Sequence, residues 1–151
     1  MKIEIELPIT EFCMYVEEYQ SNHYGQIDKQ YGYELWKKLP SSLKESWTSS
    51  TRGLYRGHDI YADVEWYNKH VSGKIEPIRS FTPSKSVAAY FGGINAVRSF
   101  RSLIESYEGL VSTRKLWAYI KKNKIHYPDD TYLVNVSDDE GEVLVFGAKL
   151  K

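Results

Sequence analysis

The spacing of apolar residues changes near residue 51, and this change constrains the fold more than any other feature of the sequence. Up to about residue 50, apolar and aromatic side chains recur every three or four positions, as in Phe12, Val16 and Tyr19, which indicates helices. From Thr51 onward, short apolar runs bounded by glycine or proline alternate with helical patterns. Residues 1–50 are therefore predicted to form a helical layer, and residues 51–151 a mixed core of strands and helices.

Capping and turn residues give the approximate bounds of these elements. Thr10, Asp28 and Ser84 are predicted N-caps, and Gly25 is predicted to end the first helix. Helices are predicted after Thr10, after Asp28, from Pro40, and over residues 60–71, 84–91 and 94–107. Strands are predicted over residues 53–57, 75–82, 116–120, 131–136 and 142–146. Strands interleaved with helices of irregular length favour an α+β sandwich over a doubly wound parallel sheet.

Size, charge and cysteine content narrow the class of protein. A chain of 151 residues is expected to form one domain, here residues 1–151. Its 20 basic and 20 acidic residues give no net charge, which argues against a general polyanion binder. The single Cys13 excludes an internal disulfide, suits a reducing cytoplasm and is predicted to be a buried, unreactive thiol. Neither a secretory pattern at Met1–Leu7 nor a membrane-length apolar run is found, so a cytoplasmic protein without a membrane anchor is expected. We also expect a monomer.

An acidic turn precedes the last predicted strand. Four carboxylates lie within residues 138–142, and a run of β-forming residues follows them. Positions i and i+2 of a strand face the same way, so Glu140 and Glu142 can converge while Gly141 permits close approach. Considered alone, such a charged run is more often a solvated turn than a site.

Two further segments carry polar side chains inside predicted strands. Arg56, in an apolar strand that ends at Gly57, needs a partner, and arginine suits phosphate or carboxylate. Considered alone, Arg56 is more often an arginine at a strand edge that reaches solvent. Ser80 and Thr82 alternate onto one face of the next strand, while Ser84 is better explained as an ordinary helix cap.

Several other classes of site have no support in the sequence. The four histidines have no metal-ligand spacing and no cysteine cluster beside them, so no metal site is predicted. A Gly-x-Gly-x-x-Gly or phosphate-loop motif is missing, which argues against a Rossmann or P-loop nucleotide site. A Gly-x-Ser-x-Gly elbow is missing too, although a Ser/His/Asp triad is not excluded on that ground.

Taken in order, the polar motifs resemble those of mono-ADP-ribosyltransferases of the Arg–Ser–Glu class, and in particular the small enzymes of tailed phages. The resemblance covers about residues 52 to 147. It is carried by Arg56-Gly57, by Ser80-x-Thr82 with Val87-Ala88 after it, and by Glu140-Gly141-Glu142-Val143. One departure is Phe81, which stands in the middle of what is usually a Ser-Thr-Ser motif.

The resemblance implies an ADP-ribosyltransferase-like β-sandwich with an N-terminal helical layer, and NAD⁺ as substrate without a metal. Glu142 would stabilise the positive charge that develops on the ribose. Ser80 would hydrogen-bond Glu142 or the nicotinamide ribose and so fix the orientation of the carboxylate. Arg56 would meet the NAD⁺ phosphate or brace the site. The backbone of Gly57 would bind the nicotinamide amide, and Thr82 would be a further binding residue. A set of aromatic residues offers partners for nicotinamide stacking: Tyr61, Tyr90 and Phe91, of which Phe91 is expected in the core.

The resemblance also implies the acceptor. In this family a glutamate at the place of Glu140 goes with arginine targets, and a carboxylate can hold a guanidinium and take its proton. A host protein modified by a phage enzyme is therefore expected, with a nucleic-acid acceptor left open. Two alternatives remain: an NAD⁺ glycohydrolase that uses water, and a non-catalytic interaction module on the same fold.

Overall fold

A computed structural model of the chain describes residues 2–21, 28–57, 73–92, 97–122 and 141–151. Within these ranges the chain is a mixed α+β structure with antiparallel sheets, which agrees with the α+β part of the predicted fold. The helices are α1 (Lys2–Ser21), α2 (Lys29–Lys37), α3 (Ser41–Ser46), α4 (Lys85–Gly92), α5 (Phe100–Leu103) and α6 (Thr113–Lys122). The strands are β1 (Tyr55–Gly57), β2 (Ile75–Phe81), β3 (Val97–Ser99), β4 (Ile104–Ser106), β5 (Gly109–Ser112) and β6 (Val143–Leu150).

Helices α1, α2 and α3 form the predicted helical layer. Asp28 caps α2 as predicted, because its side chain accepts a hydrogen bond from the Tyr31 backbone N–H at 3.0 Å. Helix α1 begins at Lys2 and continues through Pro8, so the predicted N-cap at Thr10 is wrong. Pro8 removes one intrahelical hydrogen bond, and burial of the apolar face that follows offsets this loss.

The larger sheet has β6 at its centre. Strand β2 lies on one side of β6, and β4 and β5 pair with it on the other, all of them antiparallel. The smaller sheet consists of β1 and β3, also antiparallel. A backbone bridge between Tyr55 and Thr82 joins β1 to the chain just after β2, with N–O distances of 2.7 and 2.8 Å. The end of β2 is therefore the place where the two sheets meet.

Two hydrophobic clusters cover the two faces of β6. The first joins the helical layer to one face, with Trp36 of α2 stacked on Phe146 at 4.9 Å between ring centroids. The buried Cys13 belongs to this cluster, as predicted. The second cluster brings Leu54 and Phe100, which flank the smaller sheet, together with Val145 on the opposite face of β6. Because β-strands alternate, Leu144 and Phe146 lie in the first cluster and Val143 and Val145 in the second.

Two predicted elements in the second half are wrong. The helix predicted over residues 94–107 is interrupted between Val97 and Ser106 by β3, a single turn of helix and β4. Pairing of β3 with β1 and of β4 with β6 overrides the helical spacing of the apolar residues in this segment. Conversely, residues 116–120 lie in helix α6 rather than a strand, and Leu116 and Ile120 share its buried face.

The remaining predicted elements are mostly confirmed. Strands β1, β2 and β6 and helices α3 and α4 occur where expected, although β6 extends to Leu150, and β5 was not predicted. Gly25, the helix at residues 60–71 and the strand at residues 131–136 lie outside the described residues. Over the described ranges, no helix combines the length and apolar character that a membrane crossing requires.

Candidate active site

The site is built around a hydrogen bond between two of the predicted residues, Ser80 and Glu142. In the antiparallel register Ser80 lies opposite Leu144, so Glu142, two residues before Leu144, lies diagonally across on the same face. The Ser80 hydroxyl donates to Glu142 Oε1 at 2.9 Å, and both side chains are half-buried. Residues 62 positions apart in the chain are thus brought into direct contact.

Arg56 reaches the same place from the smaller sheet. Its Nη1 donates to the backbone carbonyl of Ser80 at 2.9 Å, since the bridge between Tyr55 and Thr82 holds β1 against the end of β2. Burial lowers the pKa of Arg56, and the neighbouring charge of Arg79 acts in the same direction. A guanidinium nonetheless keeps its proton in proteins, so Arg56 brings a fixed positive charge to Ser80 and Glu142.

Thr82 and Gly57 lie beside this group. Thr82 is buried, its backbone forms the bridge to β1, and its hydroxyl accepts a hydrogen bond from the Ser84 backbone N–H at 3.2 Å. Gly57 is the last residue of β1, directly after Arg56. Ser84 is the helix cap that was predicted, because its hydroxyl accepts from the Val87 backbone N–H at 3.2 Å.

Tyr19 is a member of this site that sequence reasoning missed. Its hydroxyl lies 2.9 Å from the Ser80 hydroxyl oxygen, so the end of α1 touches the site. Burial raises the pKa of Tyr19, and the charge of Glu142 raises it further. The helical spacing that placed Tyr19 on an apolar face gave no sign that its hydroxyl had a polar partner.

Thr113 fixes the backbone of Glu142 from the first turn of α6. Its backbone N–H and its side-chain hydroxyl both donate to the Glu142 carbonyl, at 3.1 and 2.7 Å. Thr113 is fully buried. No local pattern reports this contact, because it depends on the pairing of β5 with β6, which sets Ser112 opposite Val143 and so Thr113 beside Glu142.

Positive charge is concentrated next to Ser80. Arg79 is buried and forms an ion pair with Glu76 at 2.7 Å, while its Nε has no hydrogen-bond partner among the described residues. Burial lowers the pKa of Lys29, at the start of α2, and the charges of Arg56 and Arg79 also lower it, against an opposing effect of Glu76. Arg56, Arg79 and Lys29 are therefore near two carboxylates, Glu76 and Glu142, and the excess of one positive charge favours a bound anion.

Other predicted site residues cannot be placed in this way. Glu140 and Tyr61 lie outside the described residues, as do the side chains of Tyr90 and Phe91. In the described part of the chain, no three side chains among His, Cys, Asp and Glu cluster closely enough to hold a metal ion.

A scan of the sequence against models of protein families gives no match, and neither does a search of the curated proteins or of the solved structures.

Proposed function

We propose that this protein is an NAD⁺-dependent mono-ADP-ribosyltransferase that modifies arginine on a protein acceptor. The observation that carries the proposal is the contact of Ser80 with Glu142 on one side and with Arg56 on the other. These are three of the four residues that the resemblance to Arg–Ser–Glu enzymes assigns to catalysis, Glu140 being the fourth, and they come from three separate parts of the chain. A solvated acidic turn does not require these three residues to contact one another.

The chemistry follows from the charge of NAD⁺. Nicotinamide leaves with the electron pair of the bond between its ring nitrogen and ribose C1′, so it becomes neutral and needs no general acid. Positive charge then develops on the ribose, and the fixed carboxylate of Glu142 stabilises it electrostatically. Ser80 keeps that carboxylate in one orientation through its hydrogen bond.

The cations beside the site suit the pyrophosphate of NAD⁺. Arg56, Arg79 and Lys29 outnumber their acidic neighbours Glu76 and Glu142 by one, and a partly buried guanidinium binds phosphate oxygens strongly. We assign Arg56 to the phosphates, and Gly57 and Thr82 to the surrounding binding surface. Nicotinamide is proposed to stack on Tyr90, Tyr61 or Phe91.

The fold that we propose is an ADP-ribosyltransferase-like sandwich, formed by the whole of residues 1–151 as a single domain. The described part offers two antiparallel sheets that meet at the end of β2, with a hydrophobic cluster formed by the larger sheet together with Leu54 and Phe100, which flank the smaller one. The helical layer covers the outer face of the larger sheet. Ser80 and Glu142 lie on the larger sheet, on the face that the helical layer covers, and Arg56 reaches Ser80 from the smaller sheet where the two sheets meet.

Glu140 is proposed to select the acceptor. Its carboxylate would hold the guanidinium of an arginine and take the proton that leaves as nitrogen bonds to ribose C1′. The acceptor would be a host protein and the enzyme a cytoplasmic, monomeric phage effector. Transfer to water would make the same site an NAD⁺ glycohydrolase.

The test is incubation with NAD⁺ labelled in the adenylate part, with a bacterial lysate as the source of acceptors. Glu142→Gln should lower cleavage about 100- to 1,000-fold, since it removes the charge that stabilises the ribose. Glu105→Gln is the matched control, because Glu105 is an exposed carboxylate on β4, paired with Lys149 at 3.2 Å. Glu140→Gln should reduce transfer and spare hydrolysis.

Three results would change the assignment. Label released only as free ADP-ribose would favour the glycohydrolase. Equal cleavage by wild type and Glu142→Gln would remove Glu142 from catalysis. No cleavage at all by the wild-type protein would favour a binding module.

A further inference from the structure

Tyr19, Ser80 and Glu142 form a chain of two hydrogen bonds, each 2.9 Å long. The carboxylate of Glu142 has no proton to give, so the single proton of the Ser80 hydroxyl lies in the bond to Glu142. The bond between Tyr19 and Ser80 also needs a proton, and only the Tyr19 hydroxyl can supply it. The direction is therefore fixed: Tyr19 donates to Ser80, and Ser80 donates to Glu142.

We propose that Tyr19 is a positioning residue for NAD⁺ cleavage, one that keeps the Ser80 hydroxyl turned toward Glu142. This inference rests on the proposed function and adds to it a residue from the helical layer. A serine hydroxyl rotates freely unless a second partner fixes it, and here that partner comes from the end of α1. Arg56 holds the backbone carbonyl of the same serine, so Ser80 is fixed at its hydroxyl and at its carbonyl.

The electrostatic surroundings keep Tyr19 in the form that donates. Burial raises the pKa of its phenol, and the charges of Glu142 and Glu76 raise it, while the Ser80 hydrogen bond and the charge of Arg56 lower it. The net shift is upward, so the phenol remains protonated at neutral pH. Tyr19 is half-buried and does not need to touch NAD⁺ for this role.

The first experiment is a double-mutant cycle on NAD⁺ cleavage, with Tyr19→Phe, Ser80→Ala and both together. Tyr19→Phe should lower kcat about five- to tenfold with little change in KM, which is the effect of losing one neutral hydrogen bond. If Tyr19 acts through Ser80, the double variant loses no more than Ser80→Ala alone. Losses that multiply would overturn the inference, and so would an unchanged kcat in Tyr19→Phe.

Tyr15→Phe is the matched control. Tyr15 lies one turn earlier on α1, and its hydroxyl donates to the Asp28 carbonyl at 2.9 Å, away from Ser80. Tyr15→Phe thus removes a phenol hydroxyl from the same helix as Tyr19→Phe does, and its kcat should remain that of the wild type. A fall in kcat equal to that of Tyr19→Phe would show a general effect on α1 and would overturn the positioning role.

A second experiment does not depend on activity. NMR of tyrosines labelled at ring Cζ follows the titration of Tyr19, which is assigned by its loss in Tyr19→Phe. Glu142→Gln should lower the pKa of Tyr19, because the charge of Glu142 raises it. No change at Tyr19 would overturn the chain of hydrogen bonds. A shift at Tyr19 in a protein that cleaves no NAD⁺ would support the chain and overturn the proposed function alone.

Discussion

Thr113 holds the Glu142 carbonyl with two donors, its backbone N–H at 3.1 Å and its hydroxyl at 2.7 Å. Thr113→Val keeps the shape of the side chain and the backbone donor but removes the hydroxyl. We expect a loss of about 1 kcal/mol in the free energy of unfolding, measured by urea denaturation, for one buried hydrogen bond. We also expect NAD⁺ cleavage to fall roughly tenfold or more, because a displacement of even 1 Å in a catalytic group costs about 100-fold.

Thr113→Ser is the control for that prediction. It keeps both donors and removes only a methyl group, so cleavage should stay close to that of the wild type despite some loss of stability. Equal activity in the valine and serine variants would mean that the hydroxyl has no part in placing Glu142.

Arg56 is expected to require the guanidinium and not merely a positive charge. Arg56→Lys keeps the charge but loses the planar group that donates to the Ser80 carbonyl. We expect the free energy of unfolding to fall by about 2 kcal/mol, as for the loss of a hydrogen bond to a charged group. We also expect NAD⁺ binding to weaken. Urea denaturation and a direct binding titration with NAD⁺ measure the two effects.

Arg98→Lys provides the comparison for Arg56→Lys. Arg98 lies directly opposite Arg56 in the pairing of β1 with β3, and it is exposed. The same replacement there should leave NAD⁺ binding unchanged and stability within about 0.5 kcal/mol, as for most surface substitutions. Equal effects at the two positions would argue against a specific role for Arg56.

The parts of the fold that could be predicted from the sequence are those decided by local chemistry. Asp28 and Ser84 cap their helices as expected, since an N-cap depends only on residues within one turn. Residues 94–107 and 116–120 were assigned wrongly because their apolar runs suit either a helix or a strand. Residues 94–107 contain strands because they pair with β1 and β6, and no local sequence pattern reports such pairing.

The candidate site divides in a similar way. Arg56, Ser80 and Glu142 could be named because their residue types and order resemble a known constellation. Tyr19 and Thr113 could not, because each contributes a hydrogen bond across the tertiary fold. Tyr19 in particular looked like one more aromatic residue on the buried face of a helix. Glu140 stays a prediction, since it lies outside the described residues.

Cys13 is expected to be unreactive until the protein unfolds. Burial raises the pKa of its thiol to about 12 from 9.0, with a smaller contribution from Glu17. At pH 8 a rise of this size lowers the thiolate fraction roughly a thousandfold, so labelling by a disulfide reagent should be at least that much slower than in urea. Rapid labelling of the folded protein would contradict the buried position of Cys13.

The same shift predicts how stability depends on pH. The folded state holds the thiol proton more tightly than the unfolded state does. The stabilisation is therefore complete below about pH 9 and is lost as pH rises toward 12. Cys13→Ala should lose less stability over this range than wild type, as measured by urea denaturation at each pH. Parallel curves for the two proteins would show that Cys13 does not titrate in this way.

Gly141 is expected to be required for activity beyond its effect on stability. Its φ of +61° is in the left-handed region, and a Cβ there would lie 3.0 Å from Arg114 Cζ and 3.2 Å from Pro83 Cγ. Gly141→Ala should therefore lose about 1–2 kcal/mol from backbone strain alone. The crowding should also displace the neighbouring Glu142, so that NAD⁺ cleavage falls roughly tenfold or more.

Gly73→Ala separates the two effects of that substitution. Gly73 has a φ of +81°, and nothing lies within 4 Å of the position that a Cβ would take. Gly73→Ala should thus lose about 1–2 kcal/mol in the free energy of unfolding, as Gly141→Ala does from backbone strain. At a temperature where both variants are folded, Gly73→Ala should cleave NAD⁺ as fast as wild type. If both variants cleaved NAD⁺ like wild type, close packing of Gly141 against Arg114 and Pro83 would have no part in placing the Glu142 carboxylate.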